Sequence, residues 1–226
     1  MDAKTAVKAR LLDLTTGVLE LVRDGNRDAE EVCRVFQGIK DNPDFIGQFF
    51  AQPVSLDVNN QLANWQAFYR QFFNQEFDFS GIHIPEYHSG VDRLIIVAQG
   101  LTAQQVYDVC SQHFKCWKYT DKSLDEAVPT HDRDSKDGHY AIWVRNRVEA
   151  DEELKNLSAD EIKEKKLTTE TLPERLLHEL KFWSETKNHL DIDNITLCSG
   201  SRHYGGNVPR ANWGRDGFGV GWFHPG

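Results

Sequence analysis

The chain has 226 residues, of which 39% are hydrophobic, and a net charge of −9, enough for one large domain or for one with a smaller appendage. The longest clean apolar run, Leu94 to Ala98, falls far short of the ~20 residues a membrane-spanning helix needs. The acidic balance disfavours broad nonspecific binding to nucleic acid.

The charge is uneven: −4 over residues 1–79, −7 over 80–199 and +2 over 200–226, where Arg202, Arg210 and Arg215 outnumber Asp216. Asp2 and Lys4 are not followed by an apolar stretch, so the N-terminus does not read as a secretory signal. Cys33, Cys110, Cys116 and Cys198 have no framework spacing. The expected setting is the cytoplasm, with free thiols.

The first third reads as helices. Val7, Leu11, Leu14, Val18 and Leu21 make one apolar stripe on a helix from about Ala3 to Arg23. Asp28 and Glu31 form a capping box for a second helix carrying Val32, Val35, Phe36 and Ile39 on one face. A short helix follows from Phe45 to Ala51 and is broken by Pro53. Leu62, Trp65, Tyr69 and Phe72 mark another, capped by Asn59 or Asn60. The pattern changes after Phe79, and Ile82 to Gly90 reads as a linker, so the expected division is a helical region 1–79 and a domain 80–226.

Beyond it, Leu94 to Val97 fits a buried strand. Thr102 with Gln105 caps a helix whose face holds Val106, Val109, Cys110, His113 and Phe114. Tyr140 to Val144 alternates as a strand, and 150–166 is helix-prone with a break near Ser158. Thr171 with Glu174 caps a helix with Leu172, Leu176, Leu177, Leu180 and Trp183 on its apolar face. Ile195 to Cys198 is a short strand. Val208 to Trp213 and Phe218 to Phe223 are hairpin arms around Gly-Arg-Asp-Gly. The fold class is α+β: a mostly antiparallel sheet with two or three helices, preceded by the helical region.

The stretch Leu176-Leu177-His178-Glu179-Leu180-Lys181-Phe182-Trp183-Ser184-Glu185-Thr186, then His189-Leu190-Asp191-Ile192-Asp193-Asn194-Ile195-Thr196-Leu197-Cys198-Ser199-Gly200-Ser201-Arg202, resembles a family of uncharacterised bacterial proteins. The run Arg147 to Leu154 resembles it too. The likeness covers residues 92–224, leaves out the helical first third, and implies no activity. It also implies relatives that continue past the last strand with a basic segment, where this sequence stops at Gly226.

Several motifs point to chemistry that their spacing does not support. Cys198-Ser-Gly-Ser-Arg202 is like a cysteine-phosphatase loop, but Arg202 comes too soon and no helix follows. Cys110, His113 and Cys116 have zinc-type residues, yet the first two sit on an apolar helix face. The loop from His131 to His139 fails the calcium-loop pattern at Lys136 and Trp143, and reads as a polar loop feeding a strand. His178 falls away from the leucine arc and is expected in solvent. Asp191 and Asp193 read as polar loop residues. No metal or cofactor is expected.

The leading functional reading is a noncatalytic binding module. It recognises a protein or a small anionic ligand through Arg202, His203, Tyr204, Arg210, Trp213 and Arg215, because guanidinium forks match carboxylate or phosphate and aromatic faces stack. The competing view packs the Trp residues into the sheet and pairs the Arg residues with the protein's own acids. The alternative function is a hydrolase or nuclease using His189, Asp191, Asp193 and the 131–139 loop. A third reading makes the amphipathic N-terminal helices a folding or assembly partner.

Overall fold

The computed structural model describes residues 3–41, 58–88 and 90–226, and the chain divides into two compact units, Met1–Ser55 and Leu56–Gly226. In the first unit, α1 (Ala3–Arg23) and α2 (Ala29–Asp41) are the expected helices. Gly25, at φ 74°, turns the chain out of α1, and the amides of Asp24 and Gly25 close on the carbonyls of Glu20 and Val22. Asp28 immediately precedes α2. Along the expected stripe of α1, Leu11, Leu14 and Leu21 are exposed. The expected helix at 45–51 and the side chain of Glu31 lie outside the described residues.

The second unit is α+β. It contains α3 (Val58–Phe73), β1 (Arg93–Val97), α4 (Ala103–His113), β2 (Cys116–Lys118), α5 (Leu124–Ala127), β3 (Thr130–His131) and β4 (Tyr140–Val144). It continues with α6 (Ala159–Glu164), α7 (Leu172–Thr186), β5 (Thr196–Leu197), β6 (Ser201–Arg202), β7 (Val208–Gly214) and β8 (Gly217–Phe223). Pairing is antiparallel for β1 with β4, β3 with β6, and β5, β7 and β8 in succession; β2 joins β8 in parallel. Among the described residues no helix is long and apolar enough to cross a membrane.

The division expected at residue 79 falls earlier, and the reason is backbone satisfaction. Among the described residues β1 pairs only with β4, so its other edge leaves polar groups to be met. α3 meets them with side chains. Trp65 Nε1 donates to the Leu94 carbonyl (3.2 Å), and the Tyr69 hydroxyl donates to Ile96 (2.7 Å) and accepts from the Ala98 amide (3.0 Å). Helix and strand therefore share one core. α3 begins at Val58, so Asn59 and Asn60 lie within it rather than capping it. The segment 82–88 has no regular structure, as expected, but is tied down: Ile82 and Ile84 pack on the core and Trp143 Nε1 donates to the Pro85 carbonyl (2.9 Å).

The expected box at Thr102 and Gln105 caps α4, and Ser158 with Glu161 caps α6 at the anticipated break. At α7, Glu174 reaches back to the Thr171 amide (2.7 Å). The leucine arc of α7 is buried as expected, but so are Glu174, Arg175, His178 and Glu179 on its other sides. A helix covered all round must neutralise its polar residues internally, and that requirement builds the site.

Candidate functional site

Arg175, in the first turn of α7, is 1% exposed. It donates from Nε and Nη2 to Asp191 Oδ2 (3.1 and 2.8 Å) and from Nη1 to Glu179 Oε2 (3.0 Å). Burial works against its charge, but Asp191, Glu179 and Glu170 hold its pKa above the ordinary value. Asp191 takes a left-handed backbone conformation at φ 54°, which brings its carboxylate to Arg175. The expected loop carboxylate is thus half of a buried ion pair. Glu179 also meets His189 Nδ1 (2.8 Å), whose ring stacks on Trp213 at 3.4 Å and 10°.

Glu174, the residue before Arg175 on α7, is gripped by Arg133 with two bonds of 2.6 Å, and Arg133 also donates to the Thr169 carbonyl. Burial, then the charge of Glu174, raises the pKa of the Tyr140 hydroxyl. His178, expected in solvent, is 5% exposed, and its Nδ1 lies 3.1 Å from Glu170 Oε1. Burial would raise the Glu170 carboxyl, but His178, Arg175 and Arg133 together hold it below the usual carboxylate range.

These groups floor a cavity of about 450 Å³, lined by Arg133, Glu170, Arg175, His178 and Asp191. Apolar side chains in its walls are Ile142 and Val144 from β4, Ile162 from α6, and Leu157, Leu167 and Leu190 from the connecting segments, alongside polar residues that include Lys155, Thr169 and Asn194. Residues 145–157 form a strap along one side. Arg145 pairs with Asp151 (3.0 Å) and Arg147 with Glu153 (2.7 Å). The Glu149 carboxylate sits in a cup of backbone amides from Ile192, Asp193 and Asn194 (2.9 to 3.2 Å). The Asp191 amide donates to the Val148 carbonyl (2.8 Å), so strap and floor are joined.

The six C-terminal residues singled out from sequence are distributed over several places. Arg210 and Trp213 are three apart on β7, and the pleat sends them to opposite faces. Trp213 faces the core beside Phe114 and His189. Arg210 lies on the outer face, its guanidinium 5.9 Å from the Trp117 ring and 4.9 Å from that of Phe223. Arg202 donates from Nη1 to the carbonyls of Ser199 (2.7 Å) and Ser201 (2.8 Å). His203 is buried, stacked on Trp222 at 4.3 Å, and burial followed by Lys122 lowers its pKa. Tyr204 is exposed beneath Lys122, and Arg215 is exposed in the two-residue hairpin turn.

Sequence reasoning missed Trp117 and Phe223. The signal was the alternation Gly217, Gly219, Gly221 in β8, because glycine within a strand marks a close approach. The Trp117 indole lies across Gly219, where a Cβ would collide with it, and the Arg210 guanidinium lies 3.4 Å from a Cβ built on Gly221. Arg210 Nη1 donates to Asn212 Oδ1 (2.6 Å), and no salt bridge to Arg210 occurs among the described residues.

The remaining motifs have structural surroundings. Burial keeps the Cys198 and Cys110 thiols protonated, and Cys110 Sγ faces the Leu176 carbonyl. His113 packs between Phe72 and Trp183 (5.0 and 5.1 Å). In the 131–139 loop, Asp134 caps a short helical turn, His131 Nδ1 meets Ser201 Oγ (2.7 Å) and His139 Nδ1 accepts from the Gln99 amide (2.8 Å). Asp191 lines the cavity whereas His189 and Asp193 do not, so these three do not converge on one cleft. The chain matches no family model, no curated protein and no solved structure.

Proposed function

We propose that the protein is a noncatalytic binding module that takes a small, largely apolar ligand into the cavity beside α7. The observation that carries this reading is the cavity itself. At about 450 Å³ it has the size of small-molecule sites, with apolar wall residues such as Ile142, Val144 and Ile162 and convergent polar groups at the floor. The acid and base side chains around it are engaged with one another, which favours binding over catalysis. Leu167, part-exposed at the cavity wall, supplies the test. Leu167→Trp should fill the site, leave the fold intact and weaken binding of apolar probes measured by calorimetry. Equal binding by both proteins would refute the reading.

A second reading keeps recognition of a protein or small anionic ligand at the C-terminal sheet face. Its support is Arg210, a cation with no carboxylate partner among the described residues, held between two rings on a glycine floor. A nucleoside monophosphate is a suitable probe, with its base on Trp117 or Phe223 and its phosphate on Arg210. Binding should weaken with salt and be lost in Arg210→Ala; salt-insensitive binding would refute it. A cytoplasmic location fits the four free cysteines. The resemblance to the family of uncharacterised bacterial proteins is carried by residues 147–154, 176–186 and 189–202.

A further inference from the structure

The cavity has two strand edges in its walls. Among the described residues β4 pairs only with β1 and β5 only with β7, so each has one side without a neighbouring strand. Successive side chains of a strand point to opposite faces, so a surface that touches three residues in a row meets the strand at its edge. Ile142, Trp143 and Val144 of β4 line the cavity in this way, and so do Ile195, Thr196 and Leu197 at β5.

The hydrogen bonds of β5 show what its edge offers. The Cys198 amide donates to the Pro209 carbonyl (2.8 Å), and the register sets Leu197 opposite Arg210 and Thr196 opposite Ala211. Antiparallel pairs alternate between bonded and non-bonded, so Thr196 turns its main-chain groups to β7, like Cys198. The planar trans peptides on either side of Thr196 then point the Ile195 carbonyl and the Leu197 amide away from β7. Among the described residues no hydrogen bond meets either group, and no backbone bond crosses the second edge of β4. The floor adds a buried polar atom. His178 Nδ1 faces Glu170 (3.1 Å), while Nε2 has no partner, which is costly unless something meets it.

We infer that the cavity takes an extended peptide with apolar side chains, which lies along β5 as an added strand with β4 on its other side. The Ile195 carbonyl and the Leu197 amide pair with its main chain, and alternate side chains reach Ile142, Val144 and Ile162 in the walls. A peptide offers N–H and C=O groups in turn, so it satisfies His178 Nε2 whether that nitrogen donates or accepts.

This rests on the cavity being a ligand site, and the experiment separates the two. Acetyl-Val-Ser-Leu-Ser-Val-amide, the same peptide N-methylated at every residue, and octanol are compared by calorimetry on the wild-type protein, Leu167→Trp and Leu197→Pro. The two peptides share their side chains and differ in their main-chain donors. The unmethylated peptide should bind at least about tenfold more tightly than its methylated form, and hydrogen exchange at the Leu197 amide should slow when it binds but not with octanol. Leu167→Trp should weaken peptide and octanol alike. Leu197→Pro removes the outward amide without touching the bonds to β7, and should weaken the peptide at least about fivefold while octanol is retained. If that variant does not fold, the two peptides on the wild-type protein decide. Equal binding of the two peptides, or unchanged exchange at Leu197 with the peptide bound, would overturn the strand addition and leave the cavity reading standing. Failure of peptide and octanol alike on the wild-type protein would overturn both.

Discussion

Arg175 and Asp191, sixteen residues apart, are joined by two hydrogen bonds to a single carboxylate oxygen, with both side chains shielded from solvent. Desolvating two charges offsets much of their attraction, so the pair's net stabilisation is small, but removing one partner strands the other. Asp191→Ala should cost about 3–5 kcal/mol, read from the denaturant midpoint. Asp191→Asn, which still accepts from Arg175, should cost less.

Trp65 and Tyr69 complete the outer edge of β1, so α3 belongs to the fold of the second unit. A chain beginning at Leu56 should keep the melting transition of that unit, and one beginning at Ser80 should lose it. Trp65→Ala should cost about 3–5 kcal/mol in the longer chain. Cooperative unfolding of the shorter chain would show that the helix is dispensable.

His131 is half-buried against Ser201, and burial lowers its pKa despite Asp134 and Glu174 nearby. The folded protein therefore binds a proton there less readily than the unfolded chain. Its contribution is fully present above the ordinary histidine value of about 6.5 and is lost as pH falls from there through the folded value. The melting temperature should decline over that window. The decline should be shallower in His131→Gln, with His203 accounting for part of what remains.

Gly217 holds φ 104° beside the Lys115 carbonyl, where a Cβ would fall inside van der Waals contact with backbone. Gly217→Ala should destabilise by at least about 1 kcal/mol, since both the conformation and the space exclude the methyl group. Gly206, also at positive φ but with open space around it, should tolerate alanine better.

Arg210 and Arg215 should behave differently. Arg210→Ala removes a guanidinium seated beside Trp117 and Phe223 and should cost about 0.5–1 kcal/mol with a shift in tryptophan fluorescence. Arg215→Ala, at the exposed turn, should stay within about 0.5 kcal/mol of wild type.

Local signals determined the local structure. Apolar periodicity located α1, β1, β4 and α7, the boxes at Thr102 and Ser158 start their helices, and the Asp-Gly turn closes the β7–β8 hairpin. These features depend on residues within a few positions of one another, so spacing alone carries them. What surrounds an element is not local. His178 sits off the leucine arc of α7, a position that means solvent for a helix covered on one side; here a second layer closes over it. Asp191 looks like any loop carboxylate until Arg175, anchored in the core, draws it inward. Arg210 and Trp213 share a strand, yet the pleat separates them and the sheet's two faces give them different neighbours. Burial and charge pairing arise from contacts between distant segments, and those contacts decided the cavity, its ionic floor and the unpartnered nitrogen of His178.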